Sequence, residues 1–365
     1  LNKIKKFLLL LIVCCVFSSC ANNTQKNKEV KTVQEKKKYK KFSRGFFGTF
    51  DTEVVFSAYC ENEQEFTEYF NFLESEMKRY HNLYNSFENA DVNNIKTIND
   101  NAQIKPVKVD KEIIDLLEFS INSYKNISHS TNIAVGSVSY LWKKEMEKAV
   151  DLKGKLPDDN KIKTALKHVN IDNIVIDKEK STVYIKDKDT KIDVGAVAKG
   201  YATEKVMNEL KEKGLESAII SAGGNVKAIG DPKEKNKDKW AIGIQTPEYN
   251  GNLNDIKDVI YTKETCAVTS GDYQRFYYVD GKVYCHIINP ETGYPQSEIK
   301  SVTVLYKDSA LSDFLSTSLF LNDVKTGKEI LKKVPGAQAF WILKDGSTDC
   351  TDEMKEMLKS FGANK

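Results

Sequence analysis

Only one stretch of this chain is apolar without interruption, residues 7–17, and it is shorter than the ~20 residues a helix needs to cross a bilayer. Everything after it mixes short apolar runs with charge, which excludes a polytopic membrane fold. The rest of the chain must therefore close a body around its own core. With 365 residues, 40% of them hydrophobic, there is enough apolar material to do so. The composition also excludes disordered, collagen-like and coiled-coil architectures. Seven cysteines are too few for a disulfide scaffold in a chain of this length.

The apolar run has Lys3, Lys5 and Lys6 before it and Ser18, Ser19 and Cys20 after it, the layout of a secretory signal over residues 1–19. Cys20 behind two small residues resembles a bacterial lipobox, although Phe17 stands where leucine is commoner. That resemblance implies cleavage before Cys20 and acylation there, palmitate included, leaving the protein lipid-anchored on the extracytoplasmic face of the cell membrane. Residues 20–44 read as a basic tether. Nine lysines and arginines stand against Glu29 and Glu35, while the chain from residue 45 onward holds 43 basic and 50 acidic residues. A lysine-rich stalk beside a lipid is drawn to anionic headgroups, and it also serves as a solvated spacer. Nucleic acid is not an expected partner, because the basic residues lie in the stalk and no recognition motif follows.

From residue 45 to 365 there is no linker and no internal repeat, so one domain is expected. Residues 54–59 read as a strand. Asn62 and Glu65 form the signature of a capping box opening a helix whose apolar face is Phe66, Tyr69, Phe70, Leu73, Met77 and Tyr80. A second helix follows Asp110, with Ile113, Leu116, Leu117 and Ile121 on one side. Strands are expected at 174–176, 183–185, 217–221 and 302–306, and helices at 196–213 and 309–321. Asp280-Gly281 between alternating apolar residues predicts a hairpin joining 276–279 to 282–288. Strands and helices without a regular βαβ alternation predict an α+β body of mixed sheets and helices. Cys60, Cys266, Cys285 and Cys350 are widely spaced with no C-x-x-C pair, which argues against zinc.

Three segments carry polar groups where a simple core would not want them. Asp193 to Tyr201 runs from a strand end into a helix start, whose free N–H groups suit an anion, with Lys199 adding a cation. Cys285 to Pro295 puts His286 where a hairpin strand ends, and an imidazole there is suited to general-base work. Asp313, Ser316 and Thr317 share one helical face, a set of hard oxygen donors that suits Mg²⁺. Each alone has a plainer explanation: a glycine turn, a structural histidine, a polar helix stripe.

Together these segments resemble the ApbE-type flavin transferases. The resemblance runs through Phe47-Gly-Thr49, Ala134-Val-Gly136 with Leu141-Trp142, Asp193 to Tyr201, Ser221-Ala-Gly-Gly-Asn225, Thr269-Ser-Gly-Asp-Tyr273, His286 to Pro290 and Asp313 to Thr317. It implies one large body around a central FAD-binding cleft. The implied activity is Mg²⁺-dependent transfer of FMN from FAD to a threonine or serine hydroxyl of an extracytoplasmic acceptor, with release of AMP. The acceptor it implies is a subunit of a membrane electron-transfer complex. Carried over, His286 is the general base. Phe47, Ser130, Thr131, Asn132, Asp193, Lys199, Gly223, Gly224 and Ile288 contact FAD, and Tyr84 and Phe87 compete for the flavin ring. The metal set is the Ala196 carbonyl with Asp313, Ser316 and Thr317. Departures from the family pattern fall at Phe47, Ser221, Asn225, Asn289 and Ser312; Asn225 and Asn289 each remove a charge. Two further readings share these motifs: an FAD pyrophosphatase giving FMN and AMP, and a flavin-binding lipoprotein without chemistry. An adhesin or solute receptor unrelated to flavin is the plainest alternative.

Overall fold

The computed structural model describes residues 38–249, 255–296 and 298–364. The expected signal, Cys20 and the first part of the tether lie outside these residues. Residues 38–365 form one compact unit. Among the described residues, no helix is long and apolar enough to cross a membrane.

The framework is an eight-stranded antiparallel sheet whose strand order follows the chain. It runs from Lys40–Thr49 and Thr52–Cys60 through Ala218–Ala222, Asn225–Ile229, Cys266–Gly271 and Ile299–Tyr306 to Gln338–Leu343 and Thr348–Cys350. Side chains alternate between two apolar layers, as the period of a pleated strand requires. Val54, Phe56, Val302, Val304 and Trp341 join the larger core. Tyr59, Ala267, Leu305, Phe340 and Ile342 join the smaller one on the other face. The smaller core is completed by the ribbon Trp240–Gln245 with Ile256–Thr262 and by Met354 and Leu358.

The larger core is covered by the helices Glu63–Tyr84, Lys111–Asn126, Ala198–Glu212 and Ser309–Phe320. The first begins where expected: Asn62 Oδ1 accepts the Glu65 N–H at 3.0 Å. The Glu65 carboxylate, however, turns to the Glu61 N–H, one residue outside a capping box. Asp110 caps the second helix by accepting from Glu112 N. The Asp280-Gly281 hairpin is present, with both turn residues at positive φ, 49° and 77°. Its second strand ends at Cys285 rather than 288: the His286 N–H still donates to the Arg275 carbonyl in the hairpin register, but Ile288 turns away to pair with Pro295.

One boundary differs from expectation. The first strand starts at Lys40, inside the stretch read as tether. Phe42 of that strand stacks on Phe66, Phe46 meets Phe70 edge to face, and the Arg44 guanidinium lies 4.9 Å from the centre of the Phe70 ring. The aromatic residues flanking Arg44 hold this basic segment on the body, an attraction that a count of charges does not reveal.

Candidate active site

Two helices meet at a point where neither has room for a side chain. A Cβ on Gly200 would lie 2.3 Å from the Ser309 carbonyl oxygen and 2.5 Å from the Asp313 Cβ. This close approach lets the Asp313 carboxylate reach the start of the neighbouring helix. Asp313 Oδ2 accepts the Gly200 N–H at 2.7 Å, and Oδ1 lies 3.9 Å from Lys199 Nζ. Asp313 is buried, which pushes its carboxyl pKa up, while Lys199 and the Gly200 N–H oppose that. The helix is anchored at its start by Glu204, which accepts from the Ser309 N–H and from buried Lys227. Further along, Ser316 Oγ donates to the Asp313 carbonyl and lies 2.8 Å from Ser270 Oγ, and Thr317 Oγ1 lies 3.5 Å from the same Ser270 oxygen.

This donor set fits a hard cation. A buried carboxylate flanked by hydroxyl oxygens, with no sulfur or imidazole among them, is oxygen-ligand chemistry. Asp313 and Thr317 fit best. The Ser316 hydroxyl already has two partners, and Ala196 lies in the turn just before the helix start at Ala198. A separate grouping, His168, Asp187 and Asp189, includes none of the expected ligands.

Beside these helices lies a cleft of about 160 Å³ lined by Phe50, Asp51, His81, Tyr84, Phe87, Lys143, Asp193, Lys199 and Arg275, among others. Asp193 is fixed at both oxygens, accepting from the Gly195 N–H at 2.9 Å and from Ser139 Oγ at 2.7 Å. Phe87 lies under Lys143 Nζ, 3.5 Å from its ring centre, and beside Tyr140 at 4.7 Å. Tyr84 is almost wholly buried, with its hydroxyl donated to the Glu112 carbonyl, so Phe87 has more ring surface to offer.

His286 joins this cleft through Arg275. The Arg275 carbonyl accepts the His286 backbone N–H at 3.1 Å and faces the ring Nδ1 at 3.3 Å. A carbonyl only accepts, so Nδ1 carries the proton and Nε2 keeps its lone pair. Burial first, then the charges of Arg275 and Lys199, pull the imidazole pKa down to about 3. The ring is therefore neutral at physiological pH and able to accept a proton.

The other expected contact residues have these places in the fold. Phe47 lies on the first strand, 72% exposed, and Phe50 rather than Phe47 reaches the cleft. Ser130 and Thr131 are bonded to the Ser309–Phe320 helix and its end: Thr131 Oγ1 to the Phe314 carbonyl and Ser318, and Ser130 Oγ to Asn322. Asn132 accepts from the Ala134 N–H. Ile288 is buried against Trp142 and Tyr277. Gly223 and Gly224 form a two-residue turn at φ 54° and 85°, and a Cβ on Gly223 would lie 2.1 Å from Thr52 Oγ1. The close approach that Gly223 permits is to Thr52, whereas a Cβ on Gly224 would meet only ordinary contacts. Of the two lost charges, Asn225 accepts from Ser309 Oγ and Asn289 from the Glu291 N–H, both structural bonds.

Sequence reasoning missed Phe50, Asp51, His81, Lys143 and Arg275. Phe50 and Asp51 form the turn between the first two strands, at φ 51° and 54°. Both are L-residues in the left-handed region, at a cost of about 1–2 kcal/mol each. The turn is held by the Phe50 N–H donating to His81 Nδ1 at 3.1 Å and by an Asp51–Arg275 ion pair at 3.5 Å.

A buried carboxylate beside a lysine, a neutral imidazole held for proton acceptance and an aromatic wall are the parts of a group-transfer enzyme. The chain belongs to the ApbE family, whose match spans residues 50–341. It is 28% identical over 271 residues to an FAD:protein FMN transferase of Klebsiella pneumoniae, covering 74% of this chain and 80% of that protein. The enzyme of the same name from Treponema pallidum is 29% identical over 269 residues, 70% of this chain and 72% of that one. The crystal structure of the ApbE protein of Thermotoga maritima matches with a TM-score of 0.75 at 28% identity, over 88% of this chain and 99% of the other. The flavin transferase ApbE of Vibrio cholerae shares the fold, with a TM-score of 0.73 at 19% identity over 88% of this chain and all of that one.

Proposed function

We propose that this chain is an FAD:protein FMN transferase that moves the FMN half of FAD onto a threonine or serine hydroxyl of an acceptor protein and releases AMP. The observation that carries this reading is the His286 tautomer: with Nδ1 tied to the Arg275 carbonyl, Nε2 is the free base. It stands near Lys199, the cation that lies beside Asp313. In the reaction His286 Nε2 takes the proton of the acceptor hydroxyl as that oxygen attacks the FMN-side phosphorus. The bond from that phosphorus to the oxygen of the AMP phosphate breaks, and AMP leaves. Asp313, Thr317 and the Ala196 carbonyl would hold Mg²⁺, with Ser316 in a supporting place. When bound, the metal draws charge from the pyrophosphate. Lys199 adds a positive charge at the cleft, and Asp193, locked by Ser139 and Gly195, is preset to orient the nucleotide. Phe87 offers its ring to the flavin.

Residues 1–20 support placing the enzyme outside the cytoplasm on a lipid attached to Cys20. From there it would modify a subunit of a membrane electron-transfer complex.

The test incubates the full chain in detergent with FAD, Mg²⁺ and an acceptor carrying an accessible threonine, with and without EDTA. Covalent FMN on the acceptor, matched by AMP and abolished by EDTA, is the expected outcome. Free FMN and AMP over an unmodified acceptor would make water the acceptor and the protein a pyrophosphatase. Intact FAD in every arm would leave flavin binding without chemistry.

A further inference from the structure

Arg275 holds two partners at once. Its carbonyl fixes His286, and its guanidinium lies in the cleft lining, 3.5 Å from Asp51 at the tip of the first hairpin. The ion pair is open to solvent, with the arginine side chain 44% and the aspartate 69% exposed. Such pairs hold weakly, because water and salt screen them. A phosphoryl group offers the same guanidinium two oxygens in a planar, bidentate geometry, which an arginine binds more strongly than a single carboxylate contact at this distance.

We propose that Arg275 is a catalytic residue that exchanges Asp51 for the phosphoryl group under attack, and that Asp51 is a built-in competitor for it. This rests on the transferase reading above. The reacting phosphorus must lie close to the hydroxyl that His286 deprotonates, and Arg275 is the cleft cation tied directly to His286. During the step the acceptor oxygen bonds to phosphorus, the bridging P–O bond breaks and the proton passes to Nε2. Arg275 forms no covalent bond; it donates hydrogen bonds to the non-bridging oxygens as their charge shifts. Because one residue fixes the base with its main chain and the phosphate with its side chain, base and target are held in one register. The exchange also has a structural consequence. Asp51 and Phe50 occupy a left-handed turn held by the Arg275 pair and the His81 bond, so releasing Asp51 frees one of the two ties on the cleft rim.

The test measures FAD affinity by flavin fluorescence and single-turnover transfer for wild type, Asp51→Asn, Arg275→Gln, Arg275→Lys and the double variant Asp51→Asn/Arg275→Gln. Asparagine tolerates the left-handed turn, and Arg275 is half-exposed, so thermal melts of all variants are expected to stay near wild type. Asp51→Asn is expected to bind FAD about 2–5-fold more tightly. Arg275→Gln is expected to slow transfer about 10²–10³-fold, with Arg275→Lys between it and wild type. It should also move the acid limb of the pH profile upward, because Arg275 and Lys199 are the cations that face His286. In the Arg275→Gln background, Asp51→Asn should have no further effect on affinity. If its tightening persists there, Asp51 acts by general repulsion and the exchange is refuted. Wild-type transfer by Arg275→Gln also refutes it. A wild-type protein that binds no FAD removes the transferase reading itself.

Discussion

The two sides of the cleft are built on opposite plans. On the helix side, Asp313, Ser316, Gly200 and Ser309 are buried, and the polar atoms there have fixed partners: Gly200 N–H on Asp313, Ser316 on Ser270, Glu204 on Ser309 and Lys227. On the rim side, Asp51 and Arg275 meet across solvent, a bulky Phe50 sits at positive φ, and His286 is held through a carbonyl. One side is preset and buried; the other carries a solvent-exposed ion pair beside a half-buried histidine. The difference teaches a division of labour. On the proposed reading the helix side would hold a cation and a pyrophosphate, and groups with that task gain from being rigid and desolvated. Groups that must admit a protein hydroxyl need access.

The comparison breaks first at Asp313. Asp313→Ala removes the buried carboxylate from the preset wall and is expected to lower transfer by about a thousandfold. A Mg²⁺ titration of the variant should show no saturation in the range that saturates wild type. A variant that saturates normally would place the metal elsewhere.

Gly200→Ala tests the same wall through packing. The new Cβ meets main-chain atoms of the Ser309 helix, which have no flexible end to move aside. The expected loss is about 1–3 kcal/mol or more of stability, read as a lower melting temperature, together with slower transfer. A wild-type melt would show that the two helices are not as tightly joined as described.

On the rim, pH is the sharper tool. His286 acts as a base only when neutral, and its pKa is pulled down to about 3. Activity limited by this group is therefore full through neutral pH and is lost only as pH falls toward that value. A profile of transfer kcat/KM with a limb near 6.5 would mean that the imidazole is an ordinary exposed histidine.

The smallest effect concerns Asp272, just past the end of the strand Cys266–Gly271. It is buried, one carboxylate oxygen accepts from the Tyr249 hydroxyl at 2.6 Å, the other has no hydrogen-bond partner among the described residues, and burial raises its pKa to about 6. A carboxyl raised in the folded state favours folding below its unfolded pKa, and that contribution is lost as pH rises through 6. Asp272→Asn should thus stabilise the protein more at pH 8 than at pH 5, by about 1–1.5 kcal/mol. Equal shifts at the two pH values would contradict this.

The helix side was the more legible in sequence. Asp313, Thr317, Asp193 and Lys199 are polar residues at helix positions or glycine-rich boundaries; each has a plainer reading alone, and their order along the chain, shared with the family, is what singles them out. The α+β class and the Asp280-Gly281 hairpin were legible for the same reason, because period and turn chemistry are local. The rim was not. A two-residue turn is normally announced by Asn-Gly or Asp-Gly, and Phe50-Asp51 carries neither; the family resemblance points to Phe47, whereas Phe50 lines the cleft. Arg275 and His81 are unremarkable in sequence and acquire a role only when the hairpin brings them to the cleft. The internal bonds of Thr131 and Ser130 were likewise not legible. These residues lie in a matching segment, but tertiary packing turns their hydroxyls onto the Ser309–Phe320 helix and its end.

The account stands most directly on His286, the rim residue given chemistry rather than binding. FAD affinity and single-turnover FMN transfer should be measured side by side for wild type and His286→Ala. Affinity within about twofold of wild type, with transfer slowed about 10²–10⁴-fold, is the predicted result. Transfer at the wild-type rate would contradict it and leave the base to be found elsewhere in the cleft.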